Sequence, residues 1–210
     1  MTLLDALDYA SVAVFALTGA LVASRSQLDI VGFIFVACLT AVGGGTLRDV
    51  LLDRTVFWIA EPAILLIATL AAVTVFFTAH LLESRYRALL WLDACALAVA
   101  VPAGVGVAVG AGAGWPIVLV MGMITGCMGG LMRDVVCNEV PLVLKQGELY
   151  VTAAFAGAVA AVSVQLLGDP DLALAACAGL TLILRVGSLA LGWRLPVYRM
   201  TPPRDGAPKR

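Results

Sequence analysis

Gly43-Gly44-Gly45-Thr46-Leu47-Arg48-Asp49-Val50 returns as Met128-Gly129-Gly130-Leu131-Met132-Arg133-Asp134-Val135, offset by 85 residues without a gap. Each copy lies near the end of an apolar stretch long enough to cross a bilayer. There, glycines loosen a helix and an arginine is expensive to bury. A costly element repeated at a fixed offset points to use, and to duplication of a larger unit. The same offset relates Leu7-Asp8 to Leu92-Asp93, Gly19 to Gly104 and Thr40 to Thr125.

Composition agrees with a membrane setting. Hydrophobic residues make up 62% of the chain and charged ones 13%, with a mean hydropathy of +1.03, far from a soluble globular domain. The formal net charge of -1 argues against a nucleic-acid partner, which would call for a large basic excess. The residues predict an all-α integral membrane protein.

Seven spans of roughly 18 to 24 residues follow, each matching the ~20 needed to cross the hydrocarbon core. They run from about Leu7 to Ser24, Ile30 to Leu52, Pro62 to Leu82, Leu92 to Gly110, Pro116 to Cys137, Leu149 to Leu167 and Leu172 to Leu195. Asp5 and Asp8 flank the first span and no basic residue precedes it, so it reads as a retained helix rather than a cleaved signal. Polar loops are expected at Asp53, Arg54 and Glu61, at His80, Glu83, Arg85 and Arg87, and at the turn Asp169-Pro170-Asp171. The membrane domain covers 1–195, with repeat one at about 5–84, repeat two at about 90–169 and the seventh helix at about 172–195; residues 196–210 form a tail.

Apart from Arg48, Arg133 and Arg185, nine of the ten basic residues fall on the side of the carboxy terminus, and Arg54 alone falls on the other. The positive-inside rule then places the carboxy terminus in the cytoplasm and the amino terminus outside. Three spans separate each element from its copy, and an odd number reverses its direction. The halves therefore form a 3+3 inverted repeat, with the seventh helix outside it, an architecture that recurs in transport proteins.

The doubled GGxxRD motif, the 3+3+1 layout, Thr55-Val56-Phe57-Trp58 after the first copy and Glu139-Val140-Pro141-Leu142-Val143-Leu144 after the second resemble the prokaryotic trimeric intracellular cation (TRIC) channels. The resemblance covers about residues 5 to 195. It implies a homotrimer in the bacterial cytoplasmic (inner) membrane, with a potassium-permeable monovalent-cation pore in each protomer bounded by kinked second and fifth helices. No cofactor beyond the permeant potassium or sodium ions is implied. The same bacterial family is also described as glycine transporters, so a secondary carrier of a small solute such as glycine stays open. Met128 stands where the first copy has Gly43, and the fifth helix is expected to bend less.

Within the motif, Gly43 to Gly45 and Gly129-Gly130 can open a helical turn and aim carbonyls at a cavity, or simply let helices pack closely. Packing is the expected role of the rows Gly106-Gly110-Gly114 and Gly122-Gly126-Gly130. Arg48 shares one half of the membrane with Asp8, and Arg133 shares the other with Asp93, which predicts those two pairings. Asp49 and Asp134, turned about 100° from their arginines on a helix of 3.6 residues per turn, are expected to face the cavity as mouth carboxylates. The alternative is that both Arg-Asp pairs are interfacial anchors.

Arg185, inside the seventh span, is expected to snorkel or to touch an anionic lipid headgroup. Lys145, with Glu148 and Tyr150, reads as an interfacial collar, and Lys145 can also meet an anionic headgroup. Cys38, Cys95, Cys127, Cys137 and Cys177 have no metal-ligand spacing and read as small buried hydrophobes. His80 is the single histidine, too little for a histidine-based metal site. Trp58, Trp91, Trp115 and Trp193 fall at span ends, as an aromatic belt requires. No Walker A loop, HExxH or G-x-S-x-G motif suggests an enzyme.

Overall fold

A computed structural model describes residues 2–82, 84–166 and 168–198. Among these, eight α-helices follow in order: α1 (Leu3–Arg25), α2 (Ile30–Leu51), α3 (Phe57–Ala60), α4 (Ala63–Thr78), α5 (Arg85–Gly110), α6 (Trp115–Val136), α7 (Val151–Gln165) and α8 (Pro170–Ala190). Short 3₁₀ turns follow α4 at Ala79–Leu81 and precede α7 at Leu142–Leu144. Six helical segments are long and apolar enough to span a membrane; α7, at 15 residues, is shorter.

Helix ends depart from the hydropathy limits where polar side chains cap the backbone. Thr2 and Asp5 form a capping box that starts α1 at Leu3. Ser84 accepts the Arg87 N–H and starts α5 seven residues before Leu92, so Arg85 and Arg87 belong to a helical first turn rather than a loop. At the other extreme α8 stops at Ala190, and Gly192, at φ +71°, turns the chain away before Leu195. Glu83, Leu167 and the tail beyond 198 lie outside the described residues.

The duplication extends to the way helices end. Gln27 and Gly112 hold the left-handed conformation after α1 and α5, and Asp53 and Asn138 hold it after α2 and α6. The chain closes there with equivalent bonds, Arg54 N–H to Asp49 C=O at 2.9 Å and Glu139 N–H to Asp134 C=O at 2.8 Å. Both members of each pair are 85 residues apart, so the repeat is inscribed in backbone geometry as well as in sequence.

In the first repeat α1, α2 and α4 pack on one another; in the second, α5, α6 and α7 do. The halves meet through α1 on α5 and α2 on α6, and α8 lies outside against α7 and α5. The core is built largely of alanine, with Ala16, Ala20, Ala68, Ala72, Ala96, Ala103, Ala153 and Ala158 fully buried. Lipid offers apolar side chains no gain from association, so close packing of small residues must hold the helices together. The large side chains Phe35, Leu66, Leu70, Phe77, Trp115 and Ile183 stay outside, a surface suited to hydrocarbon. Cys95, expected to be buried, also faces outward.

Candidate functional site

The last turns of α2 and α6 carry Arg48 and Arg133, where each cation also meets the negative end of its helix dipole. Both are fully buried. Arg48 Nη1 donates to Asp8 Oδ1 at 2.9 Å, and its Nε donates to Asp49 Oδ1 at 2.8 Å. Arg133 Nη1 donates to Asp93 Oδ1 at 3.1 Å and to Thr18 Oγ1 at 2.9 Å, while its Nε donates to Asp134 Oδ1 at 2.7 Å. A charge taken out of water survives only with such partners. The two centres are thus copies, each joining the end of one helix to the helix that opened its repeat.

Asp49 and Asp134 do not project freely into a cavity as their helical angle suggests. Each arginine curls back along its own helix and binds the neighbouring carboxylate. The second oxygen of that carboxylate accepts a backbone N–H eight residues on, from Phe57 in one copy and Leu142 in the other, both at 2.9 Å. The aspartates therefore clamp the arginine and fix the start of α3 or of the 3₁₀ turn. Phe57 and Leu142 stand in the stretches that follow each copy of the motif, but their role was not legible there because only their backbone takes part.

No helical turn is opened at the glycines: α2 and α6 stay α-helical through both runs. The reason lies in how the two helices cross. A methyl at Gly44 would run into the Thr125 carbonyl, and one at Gly129 into the Thr40 carbonyl. This is the reciprocal contact expected about a two-fold axis. Gly43 meets Met132, and Gly45 lies under the Phe57 ring. Gly130 differs, since a methyl there would sit 3.3 Å from Tyr150 Oη and 3.5 Å from Arg133 Nη2 and Asp93 Oδ1. It borders a polar space.

The two ends of the bundle differ in access. At the Arg48 end, a cavity of about 720 Å³ is lined by Asp5, Asp8, Asp49 and Glu61 together with Arg48 and Arg54. The Asp8 side chain is 18% exposed, whereas Asp93 at the other end is 0% exposed. There the bundle is shut by α8 and by the segment before α7. Arg185 is fully buried, its guanidinium 4.6 Å from the Tyr150 ring centre and its Nη1 3.4 Å from Glu148 Oε2. It neither snorkels nor faces lipid, because α8 turns it toward the bundle.

Lys145 is likewise engaged, donating to Tyr86 Oη and lying over the same ring as Arg25. Arg25 in turn pairs with Glu139 at 3.1 Å. Of the expected collar, Glu148 and Tyr150 belong instead to the closure around Arg185. Thr18 carried no sequence signal beyond its place in an apolar span.

The profile of a family described as "Glycine transporter" matches twice, at residues 5–80 and 90–165. The UPF0126 inner membrane protein YadS of Escherichia coli K12 is 38% identical over 201 residues, covering 92% of this chain and 95% of the relative. A UPF0126 membrane protein of Vibrio cholerae is 36% identical over 208 residues, covering 95% and 84%. Among solved structures, a TRIC trimeric intracellular cation channel orthologue from Rhodobacter sphaeroides superposes with a TM-score of 0.88 at 43% identity, covering 91% of this chain and all of that one. A prokaryotic TRIC channel crystallised in 0.5 M KCl gives 0.85 at 26% identity, covering 90% and 96%.

Proposed function

The chain belongs to the family described as glycine transporters, whose profile spans both of its repeats, and from its site we propose that it is a monovalent-cation channel. The ion pathway runs inside each protomer along the crossing of α2 and α6. The likeness to trimeric cation channels supports this reading, and one feature of the site carries it. Four carboxylates against two arginines line the cavity at the Arg48 end. An acidic vestibule bounded by apolar helices raises the local concentration of cations and repels anions.

In this reading Asp8 and Glu61 are the mouth carboxylates, and Asp49 lines the vestibule while clamping Arg48. Potassium is the permeant ion and no cofactor is required. The protein assembles as a homotrimer in the bacterial cytoplasmic membrane. The Arg133 end faces the cytoplasm, where Arg25, Arg85, Arg87, Lys145 and Arg194 lie among anionic headgroups.

Planar-bilayer recording of the purified protein in asymmetric KCl tests the proposal. Unitary currents should reverse close to the potassium equilibrium potential, and Asp8→Asn combined with Glu61→Gln should lower the cation preference. The family's description favours a second reading, a carrier of glycine, whose carboxylate would suit an arginine-bearing site. Silent bilayers together with saturable uptake of labelled glycine into liposomes would replace the channel by that carrier.

A further inference from the structure

Arg185 has no counterpart in the first repeat, because α8 stands outside the duplication. Its surroundings are those of a cation site. The Tyr150 ring offers a π face 4.6 Å away and Glu148 offers a carboxylate. Tyr150 Oη also borders the space at Gly130 that Asp93 and Arg133 share. Asp93 keeps Oδ2 buried without a hydrogen-bond partner.

Arg185 is a poorly held guest in this place. Arg133 is held at Nε and Nη1 by two carboxylates and the Thr18 hydroxyl, at 2.7 to 3.1 Å, and leaves only Nη2 without a partner. Arg185 makes a single hydrogen bond, at 3.4 Å, and its Nε and Nη2 are buried with no partner. A buried N–H that leaves water without a new acceptor weakens the arrangement it belongs to. The partner that does hold it, Glu148, is 25% exposed and sits in the closing segment. That segment is itself fastened to the end of α8, through Leu149 N–H to Ser188 Oγ at 3.1 Å and Leu195 N–H to Gly147 C=O at 3.1 Å.

We propose that the Arg185 guanidinium is a tethered blocking cation, closing the Arg133 end by occupying a site that a permeant monovalent cation takes when α8 withdraws. The block is competitive in chemistry: one positive charge leaves the Tyr150–Glu148 site as another enters. Release needs one weak ion pair and the contact with the Tyr150 ring to break, and the freed guanidinium gains the water that its two unpartnered nitrogens lack. The asymmetry between an accessible Arg48 centre and a sealed Arg133 centre then follows from α8 together with the segment before α7 that receives Arg185. This inference rests on the channel reading, so its test carries a readout that needs no current.

Bilayer recordings would compare wild type with Arg185→Ala, Arg185→Lys and Glu148→Gln. Arg185→Ala should raise open probability, and guanidinium chloride added on the Arg133 side should block that variant while leaving wild type little affected. Arg185→Lys, which keeps a tethered cation, should resemble wild type more than Arg185→Ala. Glu148→Gln should raise open probability on the order of tenfold, the change expected from losing one charge-assisted hydrogen bond.

Independently, native Cys127 is buried one turn before Gly130 on α6. With the other four cysteines replaced by serine, it should be protected from a cationic thiol reagent applied at the Arg133 end, and labelled once Arg185 is alanine. Labelling gained without currents in any variant would keep Arg185 as the plug of the Arg133 end but overturn the channel and, with it, the competition with a permeant cation. Cys127 protection and open probability both unchanged in Arg185→Ala, in protein that retains its oligomeric state in detergent, would overturn the block.

Discussion

Asp8 and Asp93 are equivalent by sequence but not by surroundings, and this sets the cost of removing each. Arg133 and Asp93 are both fully buried, so Asp93→Asn leaves a cation whose nearest compensation is Asp134 alone. Breaking a fully buried pair typically costs about 3–5 kcal/mol. At the other end Asp8 borders the cavity, water can reach Arg48 when its partner is lost, and the penalty should fall nearer the ~1 kcal/mol of a partly exposed pair. Thermal melts in detergent should therefore show Asp93→Asn strongly destabilised and Asp8→Asn mildly so; equal shifts would mean that the two centres are equally wet. The common offset and the direction of the spans already put Asp8 beside Arg48 and Asp93 beside Arg133. What sequence could not show is the curl of each arginine onto the next residue, since helical angles describe where a side chain leaves the backbone and not where a long one ends. Arg185 was illegible for a related reason: hydropathy registers an arginine in an apolar span, while the Glu148 and Tyr150 that receive it come from a distant loop.

Helices α2 and α6 cross where glycine lets one backbone touch the other, and this gives the glycines of one chain opposite mutational signatures. At Gly44 a methyl group collides with the Thr125 carbonyl, and at Gly129 with the Thr40 carbonyl. Backbone cannot rotate away as a side chain can, so Gly44→Ala and Gly129→Ala should each cost at least the ~1–3 kcal/mol of core overpacking. Gly179, in the interior of α8, has nothing near its added methyl. There alanine should stabilise by about 1 kcal/mol, the ordinary difference in helix propensity. Denaturation midpoints in detergent check both signs, and a neutral Gly44→Ala would show that the helices can separate at little cost. The elements themselves were largely legible, because spans of this length in so apolar a chain have few alternatives. Short elements were not: α3 and the 3₁₀ turn at Leu142–Leu144 are set by a carboxylate eight residues earlier, which no propensity encodes.

Across the whole molecule, inversion of the repeat turns a count of charges into a statement about sides. Contacts collect Arg25, Tyr86, Glu139 and Lys145 at one end of the bundle, and an antiparallel backbone pairing of Arg194 with Glu148 adds Arg194 to it. The opposite end carries Asp5, Asp8, Arg54 and Glu61 around the cavity. A basic end holds to the cytoplasmic face because Lys and Arg resist translocation, whereas acidic residues bear little on orientation. The proposed orientation can be read directly in cells expressing cysteine-free protein with one probe at a time. Thr55→Cys, in the exposed loop before α3, should react with a membrane-impermeant thiol reagent on intact cells. Gln146→Cys, exposed at the basic end, should react only after permeabilisation. Reversed labelling would turn the vestibule toward the cytoplasm, and the acidic cavity would then gather ions leaving the cell rather than entering it. Labelling of both probes on intact cells would mean that the chain inserts both ways, and the acidic vestibule would then gather cations on both faces of the membrane.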